Sequence, residues 1–293
     1  MDTVAESLAR SAELIRGLLE DLLLRHSSIY MWNEPGGGFV LISAHGDYGY
    51  RELDTAGRQI QSKLLEEYRR FHSLLTVFLA GQPKDSLKAL AGADEVLSRT
   101  IEQQPTWCKT TQEAYTKAKG ALEGQLQLIR RLYDASAGEP TYLPDTNALI
   151  YNPSLQDWAF SQEGSFTIAL LPPVLAELDV LKTRLRTDDV RDKAESLIRQ
   201  IKEYRRRGSL TEGVPLRKGV SSILAIATEP KMDASLPWLE PTNADDRFLA
   251  SAIEVMRTRP RSPVVLVTRD INLQNKAEFA RLPYVEPPEP AAA

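Results

Sequence analysis

Apolar residues in the first part of the chain recur every three or four positions. "ESLARSAELIRGLLEDLLLRH", "RQIQSKLLEEYRRFHSLLTVFLA" and "TQEAYTKAKGALEGQLQLIRRLY" all carry this spacing, which lines apolar side chains along one face of a helix. The pattern predicts a helical bundle from Val4 to about Tyr133. Between the first two helices lies "MWNEPGGGFVLISAHGDYGY", in which Gly36 to Gly38 predict a turn and "FVLIS" a short strand. "DASAGEP", residues 134–140, reads as a linker, because Gly138 and Pro140 both stop a helix. The chain therefore divides into an N-terminal α-helical domain, residues 1–136, and a second domain, residues 137–293.

In that second domain the rhythm changes to short extended runs, each followed by a helical segment. "TYL" leads into "TNALI", "FTIALL" into "PPVLAELDVLK", "SSILAIAT" into "NADDRFLASAIEVMR" and "PVVLVT" into "INLQNKAEFARL". The strands are apolar and β-branched at successive positions, which suits burial on both faces of a parallel sheet covered by helices. An α/β fold with a central parallel sheet is expected.

Composition narrows the class. The 293 residues are 42% hydrophobic, and the leucine-rich stretch Leu14 to Leu24 is interrupted by Arg16, Glu20 and Asp21. It fits neither a membrane span nor the core of a secretory signal, so no membrane association and a cytoplasmic location are expected. Cys108 is the single cysteine, which excludes an internal disulfide and a cysteine-based zinc site and suits a reducing compartment. A net charge of −4 means that a nucleic-acid partner would need a local basic surface.

The acids fall at places where an α/β sheet binds ligands, the carboxyl ends of its strands. Asp145 follows the first strand and Asp270 the fourth. Glu177 lies about one turn into the helix introduced by Pro172 and Pro173, and Asp245 and Asp246 open the helix after the third. Carboxylates gathered on one rim repel each other and raise each other's pKa unless a cation neutralises them, and hard divalent ions do this. The alternative is capping, since an acid at a helix start satisfies free backbone N–H groups. That alternative suits Asp245 and Asp246; Glu177, within a largely apolar helix segment, resists it.

The runs "LPDTNALIYNP", "LPPVLAELDVLK", "NADDRFLASAI" and "LVTRDINLQNKAEF" together resemble the PIN domain family, in the branch with extended "PDTN", "ELD.LK", "DDR" and "T.DINL..KA" signatures, from about residue 141 to 286. The resemblance implies a PIN-like central parallel β-sheet flanked by helices. It implies a metal-dependent endoribonuclease that hydrolyses single-stranded RNA with Mg²⁺ or Mn²⁺. The family's acids would correspond to Asp145, Glu177, Asp245 and Asp270, with Asp246 an adjacent metal candidate. Asn147 or Thr146 would be the small polar residue near the first acid, and Thr268 matches the hydroxyl residue before the fourth.

RNA contact is expected from Arg205, Arg206 and Arg207 at the end of the basic helical stretch 182–208, with Arg217 and Lys218 nearby. Acids along that stretch balance much of its charge. Tyr151 and Trp158 are aromatic candidates for base stacking, Trp158 reading more readily as core. Arg247 reads as an ion-pair partner. His26, His45 and His72 match no metal spacing, and "EPGGGF" lacks the Lys-Ser/Thr of a phosphate loop. An aspartate-nucleophile phosphatase would want a second aspartate where Asn147 stands. A noncatalytic RNA- or protein-binding module is the alternative from another class, and a toxin role fits poorly with so long a chain. The helical domain is expected to serve assembly, as a homo-oligomer or with a protein partner, or to position RNA.

Overall fold

The computed structural model describes residues 4–31, 46–133, 138–160, 164–182 and 188–290. The expected strand "FVLIS" and His45 lie outside the described residues. The chain forms two compact units, one from Ala5 to Leu132 and one from Tyr133 onward.

The first unit is helical. Helix α1 (Val4–Asp21) runs into a π-helical turn, Leu22–His26, and is followed by α2 (Thr55–Phe78), α3 (Lys84–Ile101) and α4 (Thr111–Leu132). The spacing read from the sequence is the buried stripe: Leu8, Ala12, Ile15 and Leu19 on α1; Leu64, Phe71, Leu75 and Phe78 on α2. Helix α3 buries only Leu90, Leu97 and Ile101, too few for its own apolar run to stand out in the sequence. Strands β1 (Ile29–Met31) and β2 (Tyr48–Tyr50) pair antiparallel, at the two ends of the segment that contains the expected turn.

The second unit is an α/β domain. Its strands are β3 (Thr141–Pro144), β4 (Phe166–Leu170), β5 (Val214–Arg217), β6 (Ser221–Ala225), β7 (Val264–Val267) and β8 (Tyr284–Val285), in the order β5-β6-β4-β3-β7-β8. Five strands run parallel, and β5 adds an antiparallel edge. Every residue of β3, β4 and β7 is buried, which is why these runs are apolar at consecutive positions. Helices α5 (Thr146–Tyr151), α6 (Pro172–Leu181), α7 (Asp188–Arg207), α8 (Ala244–Thr258) and α9 (Ile271–Phe279) flank them. Gly138 matters for a reason other than stopping a helix: a Cβ there would lie 2.2 Å from the Arg261 carbonyl oxygen, so only glycine allows the approach.

The topology positions the site. From β3 the chain steps to β4 and then β6 on one side, and afterwards crosses to β7 on the other side of β3. Neighbours β3 and β7 therefore straddle the point where the winding reverses, and their carboxyl ends open the crevice in which such sheets bind ligands. Among the described residues, no helix is long and apolar enough to cross a membrane.

Candidate metal and nuclease site

Asp145 and Asp270 stand at this crevice as helix caps. Asp145, one residue past β3, caps α5: its Oδ1 accepts the Ala148 N–H at 2.6 Å, and its own N–H donates to the Val267 carbonyl at 3.0 Å. Asp270 caps α9, accepting the N–H groups of Asn272 at 2.8 Å and Leu273 at 3.3 Å. Thr268, fully buried, joins them: its hydroxyl donates to Asp145 Oδ2 and accepts the Asp270 N–H at 2.9 Å. Capping and rim placement thus coexist in the same two residues.

Burial is the largest influence on Asp145, whose carboxyl is pushed up to about 6. The charges of Asp270 and Glu177 push in the same direction, and the bonds from Thr268 and Ala148 pull against them. Glu177 therefore lies within electrostatic reach of Asp145. It sits on the exposed face of α6, opposite the buried Val174, Leu178 and Leu181, so its charge is solvated rather than set in an apolar environment as its neighbours in sequence suggested.

Asp245 and Asp246 do not follow β6 directly. Residues 226–243, including a 3-10 turn at Met232–Ala234, intervene, and the cap of α8 is Asn243, whose Oδ1 accepts the Asp246 N–H at 3.3 Å. Asp246 is buried, accepts the Glu240 N–H at 3.0 Å and meets Lys276 Nζ at 2.7 Å; Asp245 lies 3.5 Å from the same ammonium. Lys276 was not read as a site residue, although it stands six positions after Asp270 in "DINLQNK". Nothing along a single helix shows that it reaches another helix's first turn.

The remaining expectations resolve individually. Asn147 is exposed beside Asp145, whereas Thr146 is buried with its hydroxyl unpartnered. Arg269 lies 3.9 Å from the Tyr151 ring centre, and this cation covers one ring face that a base would need. Trp158 is core, its indole N–H donating to the Asn152 carbonyl at 3.0 Å. Arg247 pairs with Glu229 at 2.8 Å rather than with the adjacent aspartates. Arg205, Arg206 and Arg207 are exposed; Arg206 pairs with Glu203 at 3.2 Å, and Arg207 donates to the Pro215 carbonyl at 2.5 Å. Arg205 borders a groove of about 730 Å³ between α6, α7 and the carboxyl end of β6. Arg217 is tied to the Trp158 carbonyl at 2.6 Å, and Lys218 is exposed.

Whether these residues suit a divalent ion depends on their donor chemistry. Asp145, Asp270 and Glu177 offer only oxygen, the ligand hard cations take, and both Asp145 oxygens keep a lone pair beyond the bond each accepts. Among the described residues, however, no three Asp, Glu, His or Cys side chains are grouped so that they could hold a metal ion as they stand.

Winding reversal at β3 and β7, with Asp145 and Asp270 on its carboxyl side, defines an open α/β domain. A family model for the PIN domain matches residues 142–286, and this part of the chain belongs to that family. PIN domains are generally nucleases that use divalent metal ions, which gives the domain a nuclease-type or RNA-related role at the family level. A search of curated proteins found no match.

Proposed function

We propose that the chain is a metal-dependent endoribonuclease hydrolysing phosphodiester bonds of single-stranded RNA. The observation that carries this reading is the Asp145 carboxyl, buried at the winding reversal and raised to about 6 with Asp270 and Glu177 acting on it. Mg²⁺ or Mn²⁺ would be held by Asp145 and Asp270, with Glu177 as a direct ligand or orienting water. When bound, the ion would supply Lewis-acid polarisation of the phosphate and activation of water. The side chains do the rest. Asp145 is fixed by Thr268 and Ala148, so its oxygens need little reorganisation to meet a cation. Arg205, which borders the groove beside α6, would donate to a phosphate of the bound strand.

The experiment is incubation of the full chain with single-stranded and structured RNAs in Mg²⁺, Mn²⁺ or chelator. Cleavage should require the metal, prefer the single strand and fall by about a hundredfold in Asp145→Asn. Equal product from both proteins would overturn the reading. A second reading, a noncatalytic RNA- or protein-binding PIN module, is favoured by one observation, the lack of a three-donor group among the described acids. Metal-independent RNA binding that Asp145→Asn leaves unchanged would support it. The single cysteine fits a cytoplasmic setting, and the helical unit is proposed to contact a partner protein or a second copy.

A further inference from the structure

The loop from α3 to α4, in the helical unit, holds a tryptophan out in water. Trp107 is 57% exposed, although an indole is among the largest apolar side chains a core can bury. Its loop is fixed on several sides. Thr106 exchanges both backbone hydrogen bonds with Tyr48 of β2, at 2.9 and 3.1 Å, and the Arg99 guanidinium of α3 donates to the Pro105 carbonyl at 2.9 Å. Gly46, at φ +122°, passes so close that a Cβ there would lie 2.1 Å from the Thr106 carbonyl oxygen. The backbone beside the ring is therefore pinned, and the ring stays in its exposed position.

Trp107 lines a pocket of about 260 Å³ together with Tyr50, Arg99 and Lys117. Lys117 is exposed and has no ion-pair partner among the described residues. The Tyr50 hydroxyl is buried without a hydrogen-bond partner among the described residues, and an oxygen of a bound ligand would satisfy it. Glu95 is the one acid among the described lining residues, against two cations. Such a lining offers an apolar protein surface little to pack against. A planar ring that carries an anion finds a stacking face, an ammonium and a donor hydroxyl. We propose that this pocket binds one nucleotide of single-stranded RNA, its base stacked on Trp107 and its phosphate beside Lys117, with Arg99 adding positive charge. This rests on the RNA part of the reading above and gives the helical unit a contact that needs no metal.

The test is fluorescence anisotropy of a labelled oligouridylate with the full chain in chelator, with circular dichroism confirming the fold of each variant. Trp107→Ala should weaken binding by about tenfold or more, and Trp107→Phe, which keeps an aromatic face, should lose less. Lys117→Gln should weaken it and lower the slope of log affinity against log salt by about 0.7. A duplex, whose bases are already stacked, should bind with an affinity that Trp107→Ala does not change. The inference falls if Trp107→Ala binds the single strand within about twofold of the parent, or if the parent binds no oligouridylate. It falls also if uridine monophosphate shifts the Trp107 indole N–H resonance while the oligomer does not, which would assign the pocket to a free nucleotide. A change of oligomeric state in Trp107→Ala by sedimentation, with RNA affinity intact, would assign the ring to a protein contact instead. Cleavage is read separately: Trp107-dependent binding beside an Asp145→Asn chain that cleaves like the parent would overturn the metal-dependent reading alone.

Discussion

Asp145 is an acid whose ionisation works against folding. In the unfolded chain it titrates near 3.8, and in the fold it is pushed up to about 6, chiefly by burial. Below the unfolded value both states hold the proton and there is no penalty. Between that value and about 6 the unfolded chain has ionised while the folded chain still holds its proton, so stability falls across that window and the loss is complete once the pH has passed about 6. The difference corresponds to about 3 kcal/mol. In chelator-treated protein, Asp145→Asn should therefore melt higher than the parent at pH 7.5, and the gap should close below pH 4, which circular dichroism melts across pH will read. Thr268→Val keeps the volume but removes the hydroxyl that donates to Asp145 and accepts the Asp270 amide. Carboxyl NMR should find Asp145 raised further, with RNA cleavage reduced by about tenfold or more. Residue type and position made Asp145, Asp270 and Thr268 legible in the sequence, because each lies next to a strand end. The Asp245–Asp246–Lys276 cluster was not, since Lys276 stands 30 residues after Asp246 and on another helix.

At the scale of elements, strands with consecutive apolar residues were the readable ones. β3, β4, β6 and β7 and the helices after them stand where the alternation predicts. Residues 226–243 before α8 carry no signal in the sequence because no periodicity marks an irregular connection. β5 and β8 are edge strands with little apolar signal: β5 contains Pro215, and β8 is two residues long. Helix α3 has a thin buried stripe, Leu90, Leu97 and Ile101. Its role shows in a polar contact: Asp94 accepts the Tyr68 hydroxyl of α2 at 2.8 Å, and that hydroxyl accepts from the fully buried Gln125 of α4 at 3.1 Å. Tyr68→Phe keeps the ring yet leaves the Gln125 amide without this acceptor. It should destabilise the chain by about 1–3 kcal/mol in urea unfolding, while RNA cleavage by the folded protein stays unchanged.

The whole molecule is two compact units, and each buries its own core. The parallel sheet, its flanking helices and all of the candidate acids belong to the unit that begins at Tyr133. A fragment of residues 133–293 should accordingly unfold in one cooperative transition by calorimetry. A broad, non-cooperative melt would show that this unit needs the helical one.

The order of strand and helix, the presence of acids after the strands and the helical character of the first half were determined by local sequence, because periodicity and burial act within a few residues of each other. Tertiary structure alone decided that β3 and β7 are neighbours at the winding reversal, that Thr268 bridges two acids, and that Lys276 holds the pair at the start of α8. The reason is range: hydrogen bonds and ion pairs between elements depend on which strands lie side by side, and that information is spread along the chain rather than carried by any one run of it.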